Sequence, residues 1–208
     1  MLHWLEVLYK PVKTFEKSKV NKKAVLNILI VFTVLAILQY FAISNLTSSV
    51  YIEALEALPD DFPMPLLVII VTVFQLIITL VNIIFLTLLF KGITLLLFKG
   101  IKFKSILYII ILSQIPTALS VLINSFFIES VGDGMLLSLF GLGYVFSDLT
   151  ENPIVLNFLN SFELFRLWSA FIITSGFYVY GKKYSLGKTF AIILALYILI
   201  NTLTGLLL

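Results

Sequence analysis

The chain has 208 residues, of which 61% are hydrophobic and 12% charged, whereas soluble globular domains average about 45–50% apolar and about 25% charged residues. This balance predicts an integral membrane protein. The net charge of +3 is then best explained by membrane topology, and we expect no nucleic acid as partner. The absence of cysteine excludes disulfides, thiolate metal sites and a cysteine nucleophile.

Residues 1–23 form a lysine-rich segment ahead of the first long apolar run. Leu5, Leu8 and Val12 follow a helical spacing, which predicts a short amphipathic helix on the cytoplasmic face of a membrane, bent or ended by Pro11. The alternative is a solvated tail in which Trp4 merely anchors the first span.

Five apolar runs approach or exceed the roughly 20 residues that a helix needs to cross a bilayer. They predict spans at residues 24–43, 66–90, 105–127, 162–180 and 188–208. A further run at 135–147 is too short for a span and indicates an interfacial or re-entrant segment. The sequence therefore predicts an all-α protein whose residues 24–208 form a membrane bundle of about five helices.

Lysines and acidic residues alternate between the connections of this bundle. All thirteen lysines fall in the N-terminal segment, the second connection and the last one, while the other two connections are acidic and contain no lysine or arginine. Because short cytoplasmic loops carry the Lys/Arg excess, this pattern predicts a cytoplasmic N-terminus and an extracytoplasmic C-terminus. We expect a multi-pass protein that is located in the plasma membrane of a prokaryote.

Polar side chains recur at helical spacing in the second and third runs. At about 100° per residue, four in each run fall on one face, within about 80° and about 60° respectively. They are Thr72, Gln75, Thr79 and Asn82 in the second run, and Ser113, Thr117, Ser120 and Asn124 in the third. These stripes indicate either packing seams between helices or a polar conduit between spans two and three.

Three further residues in the apolar runs are candidates for a functional role. Pro116 cannot donate a hydrogen bond to Leu112 and predicts a kink in the third span, either a packing feature or a hinge. Glu163 and Arg166, at the start of the fourth run, share one helical face and predict an ion pair near the outer interface. The pair either anchors the helix at the headgroups or docks a ligand or partner.

No pattern in the sequence carries enzyme chemistry. His3 is the only histidine, and the chain lacks GxSxG, HExxH and P-loop motifs. Because no acid–base constellation is evident, we predict a non-enzymatic protein with no cofactor and no metal site.

Three blocks of the sequence resemble the Yip (Ypt-interacting protein) family of five-span membrane proteins. They are residues 4–15 (WLEVLYKPVKTF), 108–116, and 162–176 followed by 184–188 (YSLGK). The resemblance covers nearly the whole chain and implies five spans, a cytoplasmic N-terminus and a role in membrane organisation or trafficking through protein partners. Eukaryotic members carry a longer cytoplasmic segment associated with Rab-type GTPases. This chain looks more like the short prokaryotic members, so that partnership is not carried over.

Two functions stay open at this point. The first is a Yip-like protein that associates through its helices with other membrane proteins, with itself or with lipid. The second is a small channel or transporter component with a polar path between spans two and three. A hydrated cavity lined by both stripes would favour the second function, and dry packing would favour the first.

Overall fold

The structure, a computed structural model, describes residues 3–17, 22–46, 63–98, 100–127, 137–150 and 152–207. These residues form helices joined by turns, and no strand occurs among them. The all-α class predicted from the apolar runs is therefore confirmed.

The long helices occupy the five apolar runs of the sequence, and short helices fill the segments between and before them. Their bounds are α1 His3–Tyr9, α2 Pro11–Lys17, α3 Lys22–Leu46, α4 Met64–Leu97, α5 Phe103–Asn124, α6 Leu142–Val145, α7 Pro153–Asn160, α8 Leu164–Gly181 and α9 Leu186–Leu207. A 3-10 turn, Ser147–Leu149, follows α6.

Three of the described helices are long and apolar enough to cross a membrane. They are Leu26–Asn45 within α3, the whole of α4 and the whole of α5. With 34 residues, α4 extends over about 51 Å at 1.5 Å per residue, far more than a hydrocarbon core of about 30 Å. It must therefore tilt in a bilayer or project beyond the hydrocarbon.

Helix α5 lies at the centre of the bundle, against α3, α4 and α8. Its side chains Tyr108, Ile109 and Leu112 are fully buried. Gly176 of α8 faces Ile109 so closely that an added Cβ would lie 2.6 Å from the Ile109 Cδ1 atom. A glycine at this position lets α5 and α8 approach each other more closely than a larger residue would allow.

Pro116 lies buried within α5, and the helix continues through it. The hydroxyl of Ser113 and the amide of Gln114 both donate to the carbonyl of Ile110, at 2.8 and 3.4 Å. Pro116 has no N–H to donate to the carbonyl of Leu112. The two side chains bond the carbonyl of Ile110, two residues earlier.

The N-terminal segment packs into the bundle. Helix α1 ends at Tyr9 and α2 begins at Pro11, the first helical position that suits proline because the missing N–H has no intrahelical partner there. Val7 and Phe15 are buried. In the described residues, the segment is therefore a packed part of the fold and not a solvated tail.

Two contacts fix the direction in which this segment runs along α8. The indole N–H of Trp168 donates to the carbonyl of Leu8 at 2.9 Å, and the ring of Phe15 lies 6.1 Å from that of Tyr180. Trp168 and Tyr180 are about 18 Å apart along a helix axis. The stretch from Leu8 to Phe15 thus runs along α8 from Trp168 towards Tyr180.

Candidate functional site

A buried carboxylate stands at the start of α8. Glu163 is 2% exposed. Its Oε1 accepts hydrogen bonds from the hydroxyls of Ser120 and of Ser138, the latter at 3.0 Å, and its Oε2 pairs with Arg166 Nε at 3.0 Å. The ion pair expected from the sequence is therefore present, and the two hydroxyl partners had not been foreseen.

Asn124 ties the same cluster to a second segment of the chain. Its Nδ2 donates to Ser120 Oγ at 3.0 Å and to Ser138 Oγ at 2.9 Å, and its Oδ1 accepts from the backbone N–H of Leu139 at 3.2 Å. Ser120 and Asn124 are one turn apart on α5. The last turns of α5 therefore hold residues 137–140 against the start of α8.

Close backbone packing allows this arrangement. A Cβ added at Gly141 would lie 2.8 Å from Oδ1 of Asn160 and 3.6 Å from Cβ of Glu163. The N–H of Leu164 donates to the carbonyl of Phe140 at 3.2 Å, which satisfies one of the free donors at the start of α8. Residues 137–141, from the run predicted to be interfacial or re-entrant, are thus bonded to α5 and α8.

The remaining stripe residues of α5, Thr117 and Ser113, also have hydrogen-bond partners outside α4. The hydroxyls of Thr117 and Ser169 lie 3.1 Å apart across the α5–α8 contact. Ser113 bonds the backbone of its own helix. All four members of this stripe therefore serve the contacts of α5 with α8 and with residues 137–140, or the α5 backbone itself.

The stripe on α4 divides into an inner and an outer part. Thr72 is buried and donates to the carbonyl of Val68 at 2.7 Å. Thr79 accepts a 2.9 Å hydrogen bond from Gln39 Nε2 on α3. Gln75 and Asn82 are exposed. Among the described residues, no hydrogen bond joins the stripe of α4 to that of α5.

The hydrogen-bonded cluster around Glu163 joins α5, residues 137–140 and the start of α8. Both carboxylate oxygens already accept hydrogen bonds, and the two serine hydroxyls donate to one of them. Within the described ranges, no group of three metal-ligating side chains comes together. The arrangement can hold segments in place and neutralise Arg166.

One open groove runs between α3 and α4, where the first two apolar runs meet. Phe32 and Ala36 line it from α3, and Val73, Ile77 and Leu80 line it from α4. Its lining contains none of the stripe residues. The groove is an apolar surface of the kind that acyl chains or helices cover.

Several polar residues that take part in contacts between segments were not singled out from the sequence. Gln39 bonds Thr79, Asn45 donates to Ser125 at 3.2 Å, and Ser138 joins the Glu163 cluster. Gln39 and Asn27 are the two strongly polar residues of the first run, so the position of Gln39 was an available signal. Ser138 gave none, because it lies in a short run with no helical period.

The chain matches no protein-family model, no curated protein and no solved structure. Membership of the Yip family therefore stays a prediction from the sequence.

Proposed function

We propose that the chain is a non-enzymatic, Yip-like integral membrane protein that pairs helix α4 with a transmembrane helix of another protein molecule. Its role would be membrane organisation or trafficking through such partners, in the plasma membrane of a prokaryote. A second copy of the same chain is the first partner that we propose.

The observation that carries this proposal is the position of two amides on the outer face of α4. Gln75 and Asn82 are exposed, and their neighbours Phe74, Ile78 and Phe85 are 65, 58 and 54% exposed. A polar side chain that faces hydrocarbon is costly, so such residues normally face a partner helix or water. The face around them is apolar, which favours the helix.

The spacing of these residues fits a helix pair. Gln75 and Asn82 are seven residues apart, which places them within about 20° of each other on the helix. Ile78 and Phe85 follow each amide by three residues, as in a repeat of seven whose polar position sets the register of two helices. Amides both donate and accept hydrogen bonds, so two identical faces complement each other.

The channel hypothesis has less support. Its polar path requires the stripes of α4 and α5 to face each other, whereas the hydroxyls of Thr117 and Ser120 bond α8 and Glu163. Gln75 and Asn82 form the exposed edge of the stripe on α4. Packing seams account for the α5 stripe, and helix pairing accounts for the exposed amides.

The proposed topology has five spans, with α8 and α9 added to the three long apolar helices. With 18 residues, α8 covers about 27 Å, close to the thickness of the hydrocarbon core. The lysine pattern places the connection between α8 and α9 in the cytoplasm. Helices α1 and α2 then enter from that side as a re-entrant pair, because Phe15 lies beside Tyr180 and Leu8 lies deeper, beside Trp168.

Cysteine cross-linking in native membranes tests the pairing directly. Because the chain has no cysteine, a single Ile78→Cys variant reports on the outer face of α4 alone. Ile37→Cys is the matched control, since Ile37 is an isoleucine that is also half exposed, at 50%, on α3 near the level of the Gln39–Thr79 bond. We expect a disulfide-linked dimer from Ile78→Cys and none from Ile37→Cys.

A second pair of substitutions tests whether the amides, and not nonspecific apolar contact, hold the dimer together. Adding Gln75→Leu and Asn82→Leu to Ile78→Cys should abolish the dimer while the monomer stays folded, because the face becomes uniformly apolar. Equal cross-linking at positions 78 and 37, or a dimer that survives the two leucine substitutions, would contradict the proposal.

A further inference from the structure

A cavity of about 430 Å³ opens between α2 and the end of α8. Its volume falls within the range of small-molecule sites, roughly 300–1,000 Å³. Among the described residues, those that line it are Glu16, Tyr178, Val179, Lys182 and Tyr184. The cavity therefore lies at the lysine-rich end of the bundle, where residues 182–185 connect α8 to α9.

Two opposite charges face this cavity without joining each other. Glu16 and Lys182 are both exposed and both line it. No ion pair between them occurs in the part of the chain that the structure describes. The nearby Lys183 and Lys188 lie over the ring of Tyr184, at 5.1 and 5.0 Å from its centroid. One wall is thus acidic and the other basic, with phenol groups beside them.

Lys182 is held in a conformation that favours glycine. It follows α8 with φ 44° and ψ 32°, in the left-handed region. Glycine is the usual residue there, because a Cβ is strained in this region. The adjacent glycine, Gly181, is needed for packing, since a Cβ on it would lie 2.9 Å from Phe98 Cδ1.

The lysine therefore occupies a position at which glycine would be easier to accommodate. Strained residues persist where the surrounding structure holds them, and they often mark functional sites. The side chain of Lys182 lines the cavity, so we assign the strained position a role in binding there.

From these charges we infer that the cavity binds the headgroup of a zwitterionic phospholipid with a primary ammonium group, of the phosphatidylethanolamine type. Lys182 and the hydroxyls of Tyr178 and Tyr184 bind the phosphate, and the carboxylate of Glu16 accepts hydrogen bonds from the ammonium group. A choline headgroup has no N–H to donate, and a glycerol headgroup has no charge to pair with Glu16.

The full chain in a non-ionic detergent provides the test. Its thermal unfolding midpoint is measured while short-chain phosphatidylethanolamine, phosphatidylcholine or phosphatidylglycerol is added, and ligands that bind the folded state raise that midpoint. We expect phosphatidylethanolamine to act at a concentration at least tenfold lower than the other two lipids. Free phosphoethanolamine is measured in parallel, and half-maximal action at the same concentration as the lipid would overturn a lipid as the occupant.

Three variants assign the binding to this cavity. Lys182→Gly should raise the midpoint in the absence of lipid, because the strain is relieved, and should weaken the response to phosphatidylethanolamine at least tenfold. Glu16→Gln should abolish the preference over phosphatidylglycerol. Lys104→Ala removes an exposed charge at the start of α5, away from the residues that line the cavity, and should change neither property.

The opposite results would overturn the inference. They are an equal response of the unaltered protein to phosphatidylethanolamine and phosphatidylglycerol, or an unchanged response in Lys182→Gly. A stabilised Lys182→Gly variant shows that the protein is folded, so a lost response cannot be ascribed to unfolding.

Discussion

Helices α4 and α5 are both apolar enough to cross a membrane, yet they stand in opposite environments. Only 17% of the most apolar window of α4 is buried within the chain, against 61% for α5. On α5, Ser120 and Asn124 are buried and bonded to other segments, whereas Gln75 and Asn82 on α4 face outward. Apolar character therefore identifies a span, and the partners of its few polar groups reveal which neighbour the span requires.

The largest effect expected around α5 comes from the N-terminal segment. Phe15 is 1% exposed and packs on Tyr108 of α5, with ring centroids 6.3 Å apart. Phe15→Ala should lower the free energy of unfolding by about 4 kcal/mol, because it leaves a cavity in a packed core. Chemical or thermal unfolding in detergent measures the loss.

The exposed aromatic Phe74 on α4 provides the matched control. Its side chain is 65% exposed, so Phe74→Ala should leave the stability of the monomer nearly unchanged. A Phe15→Ala variant as stable as the unaltered protein would show that the N-terminal segment is not packed against α5 in solution.

Removal of the buried carboxylate should have the next largest effect. Glu163→Ala leaves Arg166 and two serine hydroxyls without their acceptor, and breaking a buried ion pair costs about 3–5 kcal/mol. We expect about 3 kcal/mol, the lower end of that range, because the Arg166 side chain is 29% exposed and reaches solvent. The unfolding midpoint of Glu163→Ala measures this loss.

Asp148 is an exposed acid in the 3-10 turn after α6, and Asp148→Ala serves as the control. It should lie within about 0.5 kcal/mol of the unaltered protein. If both alanine variants unfolded at the same temperature, the hydrogen-bonded cluster around Glu163 would contribute nothing to the fold.

Much of the architecture could be predicted because the determining features are local in the sequence. The long apolar runs predicted helices whose ends agree with the structure within a few residues. The predicted second span, residues 66–90, is shorter than α4, since the helix passes Lys91 and continues to Leu97. The ammonium group of Lys91 donates to the carbonyl of Ile101 at 2.8 Å, so this charge did not have to end the helix.

The partners of the polar side chains could not be predicted in the same way. Spacing places Ser120 and Asn124 on one face of α5, but it does not say whether α4, α8 or lipid lies against that face. The Glu163–Arg166 pair could be predicted from the sequence because its partners are three residues apart. Ser138 reaches Glu163 only through the tertiary fold, and nothing in its local sequence indicates this contact.

Alanine substitutions at two glycines should have smaller effects on stability, and these effects should be opposite in sign. At Gly176, an added methyl group would press on Ile109, so Gly176→Ala should destabilise the protein by about 2 kcal/mol through overpacking. Gly92 lies within α4 with nothing near an added Cβ. There, Gly92→Ala should stabilise the protein by up to about 1 kcal/mol, because alanine favours a helix.

Unfolding midpoints of the two alanine variants measure both changes under identical conditions. Two destabilised variants would indicate that α4 is covered near Gly92 in the detergent-solubilised protein. Two stabilised variants would mean that α5 and α8 do not approach each other at Gly176.

Leucine substitutions of the two amides compare the helices most directly, and the one on α4 has the smallest expected effect on stability. Asn124→Leu removes hydrogen bonds from Ser120, Ser138 and the Leu139 N–H in a buried site, which should cost about 1–3 kcal/mol. Gln75→Leu replaces an exposed amide on an apolar face, so the stability of the monomer should change by less than about 0.5 kcal/mol.

The two leucine variants should differ again when self-association is measured by cross-linking in membranes, because only Gln75 lies on the face proposed to pair. Asn124→Leu should weaken folding and leave the association of the folded fraction unchanged, while Gln75→Leu should weaken association and leave folding unchanged. If Gln75→Leu destabilised the monomer as much as Asn124→Leu did, α4 would be packed within its own chain, and the contrast between α4 and α5 would not hold.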